Sequence, residues 1–421
     1  MINTNTLDNG IKVVLEKMDS VRSVAVGVWV RTGSVFEDLE NNGISHFIEH
    51  MLFKGTKNRT AKQIAEDMSA IGGHLNAFTA KEYTCYYAQT LDEHIEIAME
   101  ILGDMLQNSL FADEDIEKEH TVILDEIDMY EDSPEDIAHD LFQQNVWQGQ
   151  SLGYNILGTK ENIKKIKRDE LLKYFNENYY GQNIVISVAG NFEETKIMNA
   201  LNEIFKDIPS DIENEMVYNP EYNKSFIYKD KDIEQAHLCL GFPGIDYLSK
   251  DLYTLAILNT VLGGGMNSRL FQSIREEKGL AYSIYSYTST YKYTGLLYIY
   301  AASNPIYVEE VFVQIKEEIK KLRENLITEE ELNKIKEQLK SNYIIGLEST
   351  NSKMSSNGKS IILLGRVKTQ DEIIEKLNSV TLDDFKVLTD KILQYDKLSL
   401  SLVGRINNLD IGRIKELWEK E

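Results

Sequence analysis

The sequence predicts an α+β fold built as two halves of similar plan, each a sheet with helices laid against it. Three observations carry that expectation. Strand-like segments such as SVAVGVWV and TCYYAQT stand in neighbouring pairs, while EHIEIAMEILGDMLQNSL has helical periodicity. The chain also repeats itself. KRDELLKYFNENYYGQNIVISVAGNF, a helix and an apolar strand ending at Gly190, returns 214 positions later as TLDDFKVLTDKILQYDKLSLSLVGRI, with Gly404 in the matching place. MLFKGTKNRTAKQIAEDMSAIGGHLNAF likewise matches VLGGGMNSRLFQSIREEKGLAYSI at an offset of 210, pairing Gly55 with Gly265 and Arg59 with Arg269. Third, a polar stretch, KDIPSDIENEMVYNPEYNKS, carries two of the five prolines and separates the halves. The expected division is 1–212, a linker at 213–223, and 224–421.

Helix punctuation justifies the elements of the first half in order. Thr60 can cap AKQIAEDMSAIGG, which stops at Gly72 and Gly73. DEDIEKEHTVILDEIDMYED lacks Gly and Pro and is expected to be one helix starting near Asp113. Ser133 can cap the next helix, with Pro134 at its first position.

Size and composition exclude several classes. A chain of 421 residues exceeds the roughly 100–200 of one domain, so each half can bury a core. Hydrophobic residues make up 42% and charged residues 27%, as in ordinary globular protein. No run approaches the roughly 18 apolar residues of a membrane span. The opening MINTNTLDNGIKVVLE reads as turn and strand, so a targeting leader is not expected and a cytoplasmic location is. The net charge of -23 argues against nucleic acid, which demands a basic face. Such acidity serves solubility, or a chamber that draws in basic peptides. Cys85 and Cys239 lie in strand-like runs and are expected to be reduced, buried thiols.

The chemistry is concentrated in GISHFIEHMLFKG. On a helix, His46 and His50 share a face, and their imidazoles can converge on one ion. Glu49 stands beside them without being forced to coordinate, where a general base for metal-activated water belongs. This is the inverted order of the commoner H-E-x-x-H pattern. Burying two histidines and a glutamate without such a role would leave several polar groups needing partners. A catalytic zinc usually has three protein ligands, and the acidic helix offers Glu119, Asp125 and Glu126 for the third. Glu119 and Glu126 are seven apart and share a face. Spacing does not choose among the three.

At these residues the chain resembles the pitrilysin family of inverzincins, and within it the short-chain bacterial relatives of the mitochondrial processing peptidase beta subunit. The likeness runs through LDNGIKVVLE, GISHFIEHMLFKGT, GGHLNAFTAKEYTCYYA, EKEHTVILDEIDMYEDSPED and GGGMNSRLFQSIREEKGLAYSIYSY. It implies a zinc endopeptidase holding one Zn2+ per chain by His46, His50 and Glu126, with Glu49 as general base and Glu119 supporting a ligand or handling protons. Asp125 becomes a neighbour. Each half is implied to be an open, mainly antiparallel sheet flanked by helices. In the second half the positions aligned with His46, Glu49 and His50 are Ala256, Asn259 and Thr260, so one half is catalytic and the other a partner.

The same resemblance implies how substrate is held. HLNAFTAKEYT reads as an edge strand that takes a peptide or unfolded polypeptide as an added strand, with Asn76, Ala77 and Phe78 beside it and Asn76 offering its amide at the scissile bond. Arg275 and Tyr282 resemble the pair that grips substrate and stabilises the oxyanion. Gly263 to Gly265 is not a phosphate loop, because no Gly-Lys-Ser/Thr follows; it reads as a tight turn. Relatives of this length pair two chains, which implies a homodimer with composite sites. The alternative is a non-catalytic assembly subunit of a larger complex, a use of this fold that typically loses the metal residues.

Overall fold

The computed structural model describes residues 2–210 and 218–420, so residues 213–217 of the expected linker lie outside the described residues. In the first unit β1 (Ile2–Thr6), β2 (Lys12–Lys17), β3 (Ser23–Val30), β4 (His74–Thr79), β5 (Thr84–Leu91) and β6 (Ile184–Gly190) form one sheet in the order β1-β2-β6-β3-β5-β4. Only β2 and β6 pair in parallel. Central β3 sets Val26 opposite Ala88 of β5 and Val188 of β6. Strand alternation then sorts its residues between two faces. Val24, Val26, Val28 and Val30 enter a core with Phe47, Ile48 and Met51 of α1 (Ile44–Leu52) and with Met99 and Leu102 of α3 (Ile95–Asn108). Between these two helices in the chain comes α2 (Ala61–Ala70), capped by Thr60 as expected, with Gln63 completing a capping box, and followed by Gly72 at φ +62°.

The opposite face of β3 is covered by the helix Thr350–Leu364, from far along the chain. Gly27 and Gly358 permit this closeness. A Cβ on Gly27 would stand 2.3 Å from Met354 Sδ, and one on Gly358 would stand 2.2 Å from Trp29 Nε1. Ser187 of β6 donates a hydrogen bond to the Met354 carbonyl at 2.8 Å. Every β3 residue after Ser23 is therefore buried, which accounts for a run apolar on both faces.

The second unit repeats the plan. β7 (Phe226–Asp230), β8 (Ala236–Pro243), β9 (Ala281–Thr290), β10 (Gly295–Ser303) and β11 (Ser399–Gly404) form a sheet in the order β7-β11-β8-β10-β9, with only β7 and β11 parallel. The order and directions match those of β2, β6, β3, β5 and β4. One face packs on the helix Leu252–Gly263 and its neighbours. The other is covered by α5 (Pro134–Val146), which begins at the Ser133 cap with Pro134 in its first turn and follows the single helix α4 (Asp113–Asp132). Gly241 of β8 faces Phe142, whose Cζ would lie 2.5 Å from an added Cβ, and Ser401 of β11 donates to the Ala138 carbonyl at 2.6 Å. Gly27 and Gly241, and Ser187 and Ser401, are each separated by 214 positions, the offset that relates Gly190 to Gly404.

The packed units consequently differ from contiguous halves at 1–212 and 224–421. The first comprises Met1–Ile127, Tyr154–Tyr218 and Ile344–Lys368; the second takes Asp128–Gly153, Asn219–Tyr343 and Thr369–Glu421. The central strands of each sheet are buried on both faces, and the second face is covered by a helix from the other half of the sequence. Helix periodicity reports that a helix has an apolar side, but not which sheet receives it. Cys85 and Cys239 are free and buried, and among the described residues no helix is long and apolar enough to cross a membrane.

Candidate metal centre

Helix α1 is only nine residues long, so its position is set by its surroundings more than by its own propensity. Ile44, Phe47, Ile48, Met51 and Leu52 anchor one side in the core. Its N-terminus follows Gly43 at φ +103°, where an added Cβ would also meet the Gly158 backbone at 2.9 Å. The helix has no side-chain cap from Gly43; the buried Glu37 carboxylate supplies one. Glu37 Oε2 accepts from Gly43 N and Asn42 Nδ2, each at 2.8 Å, and Oε1 accepts from Ser45 N at 2.9 Å.

This frame points His46 and His50 the same way, with ring centroids 4.6 Å apart. Glu126 of α4 completes the group: its Oε2 lies 3.6 Å from His46 Nε2 and 3.6 Å from His50 Nε2. That separation is too long for hydrogen bonds. It fits donors sharing one ion, because ligand atoms at about 2.1 Å in a tetrahedral site stand about 3.4 Å from each other. One donor atom from each of the three residues falls within 4.8 Å of the others. His46 Nδ1 is buried with no hydrogen-bond partner among the described residues, so the ring is held by packing and by what meets its Nε2. Burial, with His50 nearby, lowers the His46 pKa to about 3, so the ring is neutral and able to coordinate.

Glu119 stands behind the group. It is 2% exposed, and its Oε2 accepts from His50 Nδ1 at 2.9 Å, leaving the His50 Nε2 lone pair directed at the centre. Lys54 Nζ pairs with the other Glu119 oxygen at 2.6 Å. Burial alone would raise the Glu119 carboxyl, but the hydrogen bonds from His50 and Lys54 and the Lys54 charge hold it below its ordinary range. Asp125 is exposed and outside the group. Glu49 is also outside it: Thr79 Oγ1 donates to Glu49 Oε2 at 2.5 Å. Burial raises the Glu49 pKa, aided by the Glu126 charge and opposed by Thr79 and His50.

The remaining expected residues fall into two places. β4 ends its sheet and pairs only with β5, so its other edge is free among the described residues. Ala77 and Thr79 alternate onto the α1 side, while Asn76 and Phe78 face the Trp29 side, with Phe78 edge-on to Trp29 at 5.8 Å. Asn76 Oδ1 accepts from its neighbour's backbone, Ala77 N, at 2.9 Å. In the second unit Arg275 and Tyr282 come together, the guanidinium carbon 5.8 Å from the Tyr282 ring centroid, and Tyr282 is 76% exposed at the start of edge strand β9. On the helix Leu252–Gly263, Thr260 Oγ1 donates to the Ala256 carbonyl at 2.8 Å and Asn259 Oδ1 accepts from Ser286 Oγ at 2.8 Å. Among the described residues no group of three His, Cys, Asp or Glu side chains gathers there.

Sequence reasoning missed Thr79, Lys54 and Glu37. Strand alternation from Ala77 signals the first, and helical spacing from His50 hints at the second. No local signal marks the third.

The family model described as Insulinase (Peptidase family M16) matches residues 12–160, and that of the Peptidase M16 inactive domain matches residues 165–339. The uncharacterized zinc protease YmxG of Bacillus subtilis is 45% identical over 97% of this chain and 100% of its own length. An uncharacterized zinc protease of Rickettsia felis is 39% identical over 97% and 98%. Among solved structures, a protease from Helicobacter pylori superposes with a TM-score of 0.91 at 20% identity, over 96% of this chain and 99% of that one. A chain of Complex III2 from Candida albicans, Inz-5 bound, gives 0.86 at 21%, over 99% and 100%. At such identities the structural likeness is one of fold.

Proposed function

We propose that this chain, which belongs to the insulinase-type peptidase family M16, is a zinc-dependent endopeptidase that cleaves peptides or unfolded polypeptide segments. The observation that carries this reading is the convergence of His46 Nε2, His50 Nε2 and Glu126 Oε2 with a half-buried Glu49 beside them that stands outside the ligand group. Among the described residues this group is the one candidate, so the expected stoichiometry is one zinc per chain. Zinc, when bound, supplies Lewis acidity, bringing the acidity of water near neutrality and polarising the substrate carbonyl.

The chain's own residues account for the other steps. A peptide adds to the free edge of β4 by main-chain hydrogen bonds, which ignore side-chain identity and suit varied sequences. Asn76, its Oδ1 engaged by Ala77 N, offers its side-chain NH2 to the substrate along that edge. Glu49, with one oxygen held by Thr79, accepts the proton of the attacking water on the other and returns it to the leaving amine as the C–N bond breaks. Its raised pKa suits both duties. Glu119 keeps His50 in the tautomer that presents Nε2. Arg275 and Tyr282, exposed together, stabilise the oxyanion in the site of a second copy of the chain, giving a cytoplasmic homodimer with two composite sites.

The test is cleavage of an unstructured peptide by metal-loaded protein. Activity should vanish with a chelator, return with zinc, and be absent in Glu49→Gln protein of unchanged zinc content. A protein that binds no zinc and cleaves nothing would instead be an assembly subunit.

A further inference from the structure

The strand offered to substrate and the proposed base meet at one hydrogen bond. Thr79 closes β4 on the face turned to α1, and its hydroxyl donates to Glu49 Oε2 at 2.5 Å. An ionised carboxylate only accepts, so the proton must come from Thr79. The donor is held rigidly. Thr79 is β-branched and therefore stiff at its first side-chain torsion, and it lies opposite Thr84 in the β4–β5 ladder. The Thr84 hydroxyl is itself directed at the Thr32 carbonyl at 2.9 Å and stands 3.5 Å from Thr79 Oγ1. Glu49 has no comparable restraint of its own: three side-chain torsions separate its carboxylate from α1, and no other side chain hydrogen-bonds it among the described residues.

We infer that Thr79 is a positioning residue for Glu49. It selects the rotamer that keeps the carboxylate beside the metal centre but out of the ligand group, and it leaves Oε1 free for the proton. Because the same strand would carry the substrate backbone, the base is held in register with the bond to be cut. The inference rests on Glu49 being the base, and the experiment separates the two.

Thr79→Val removes the hydroxyl at nearly constant volume and Thr79→Ser keeps it. In zinc-loaded full-length protein, Thr79→Val should lower kcat about tenfold, the scale of one hydrogen bond to a charged group, with KM, zinc content and Tm unchanged. Thr79→Ser should stay within about twofold of the parent kcat. Unchanged kcat in Thr79→Val, a loss seen in KM or zinc content instead, or a Thr79→Ser variant as slow as Thr79→Val overturns the inference. If Thr79→Val does not fold, Thr79→Ala is held to the same criteria. Glu49→Gln measured alongside tests the base itself: full turnover there refutes that reading whatever Thr79 does.

Discussion

Helix α1 of the first unit and the helix Leu252–Gly263 of the second hold corresponding places beside the edge strands β4 and β9, and only one of them carries metal-binding chemistry. In both, an edge-strand hydroxyl reaches the helix residue at the base position: Thr79 bonds Glu49, and Ser286 bonds Asn259. The scaffold contact is common to the two units. What differs is the donor set. His46, His50 and Glu126 leave Nε2 and Oε2 atoms facing a shared point, whereas Thr260 satisfies itself on Ala256 and Asn259 on Ser286. A duplicated sheet can therefore keep its packing while one copy gives up every ligand, and function must be argued from the site and not from the fold.

The largest expected effect tests that contrast directly. Glu49→Gln should lower kcat by about 10²–10⁴-fold, the usual worth of a general base, with zinc still bound. Asn259→Ala should leave zinc at one per chain. Comparable losses in turnover from both would mean that the helices do equivalent work. Next, Glu49→Gln and Arg275→Ala chains, each inactive alone, should recover about a quarter of parental activity when randomly mixed, since half the dimers would carry one intact composite site. No recovery in verified mixed dimers removes the composite arrangement.

The exchanged helices give a stability version of the comparison. Gly27→Ala meets the Met354 side chain, which can yield, and the Trp29 indole at 2.9 Å, while Gly241→Ala meets the rigid ring of Phe142 at 2.5 Å and the Leu297 carbonyl at 3.0 Å, neither of which gives easily. Both should destabilise, by about 1–3 kcal/mol, with Gly241→Ala the costlier. Denaturant unfolding that ranks them in reverse would contradict the packing described for the two sheets.

A smaller difference separates the arginines that the repeat aligns. Arg59 joins Thr56, Asn58 and Asn108 in hydrogen-bonding the buried Asp104 carboxylate, while Arg269 makes a surface pair with Glu331. Burial opposes ionisation of Asp104, but these hydrogen bonds hold its folded pKa below the ordinary value. Its stabilisation is present above the unfolded pKa of about 3.9 and is lost as pH falls through the lower folded one. Arg59→Met should cost about 2 kcal/mol at neutral pH and flatten that acid-side loss, and Arg269→Met at most about 1 kcal/mol. Urea titrations at neutral and acid pH measure both; equal costs would erase the distinction.

Much of this is legible in the sequence. The H-x-x-E-H spacing brought two imidazoles to one helix face, Thr60 and Ser133 marked their helices, and α4 runs unbroken from Asp113. These signals are local. The choice of Glu126 over Asp125 came from family resemblance, because seven-residue spacing alone left Glu119 and Glu126 on one face. The helix exchange stayed hidden, since it depends on which distant helix meets Gly27 and which meets Gly241. Glu37 was hidden for the same reason: it caps α1 from outside the helix, through a loop whose path no periodicity records.

Zinc anomalous diffraction from crystals of the metal-loaded protein tests the central claim most directly. A single peak per chain should lie at coordination distance from His46 Nε2, His50 Nε2 and a Glu126 oxygen, with Glu49 uncoordinated. A peak in the second unit, or none between these three side chains in fully loaded protein, would contradict it.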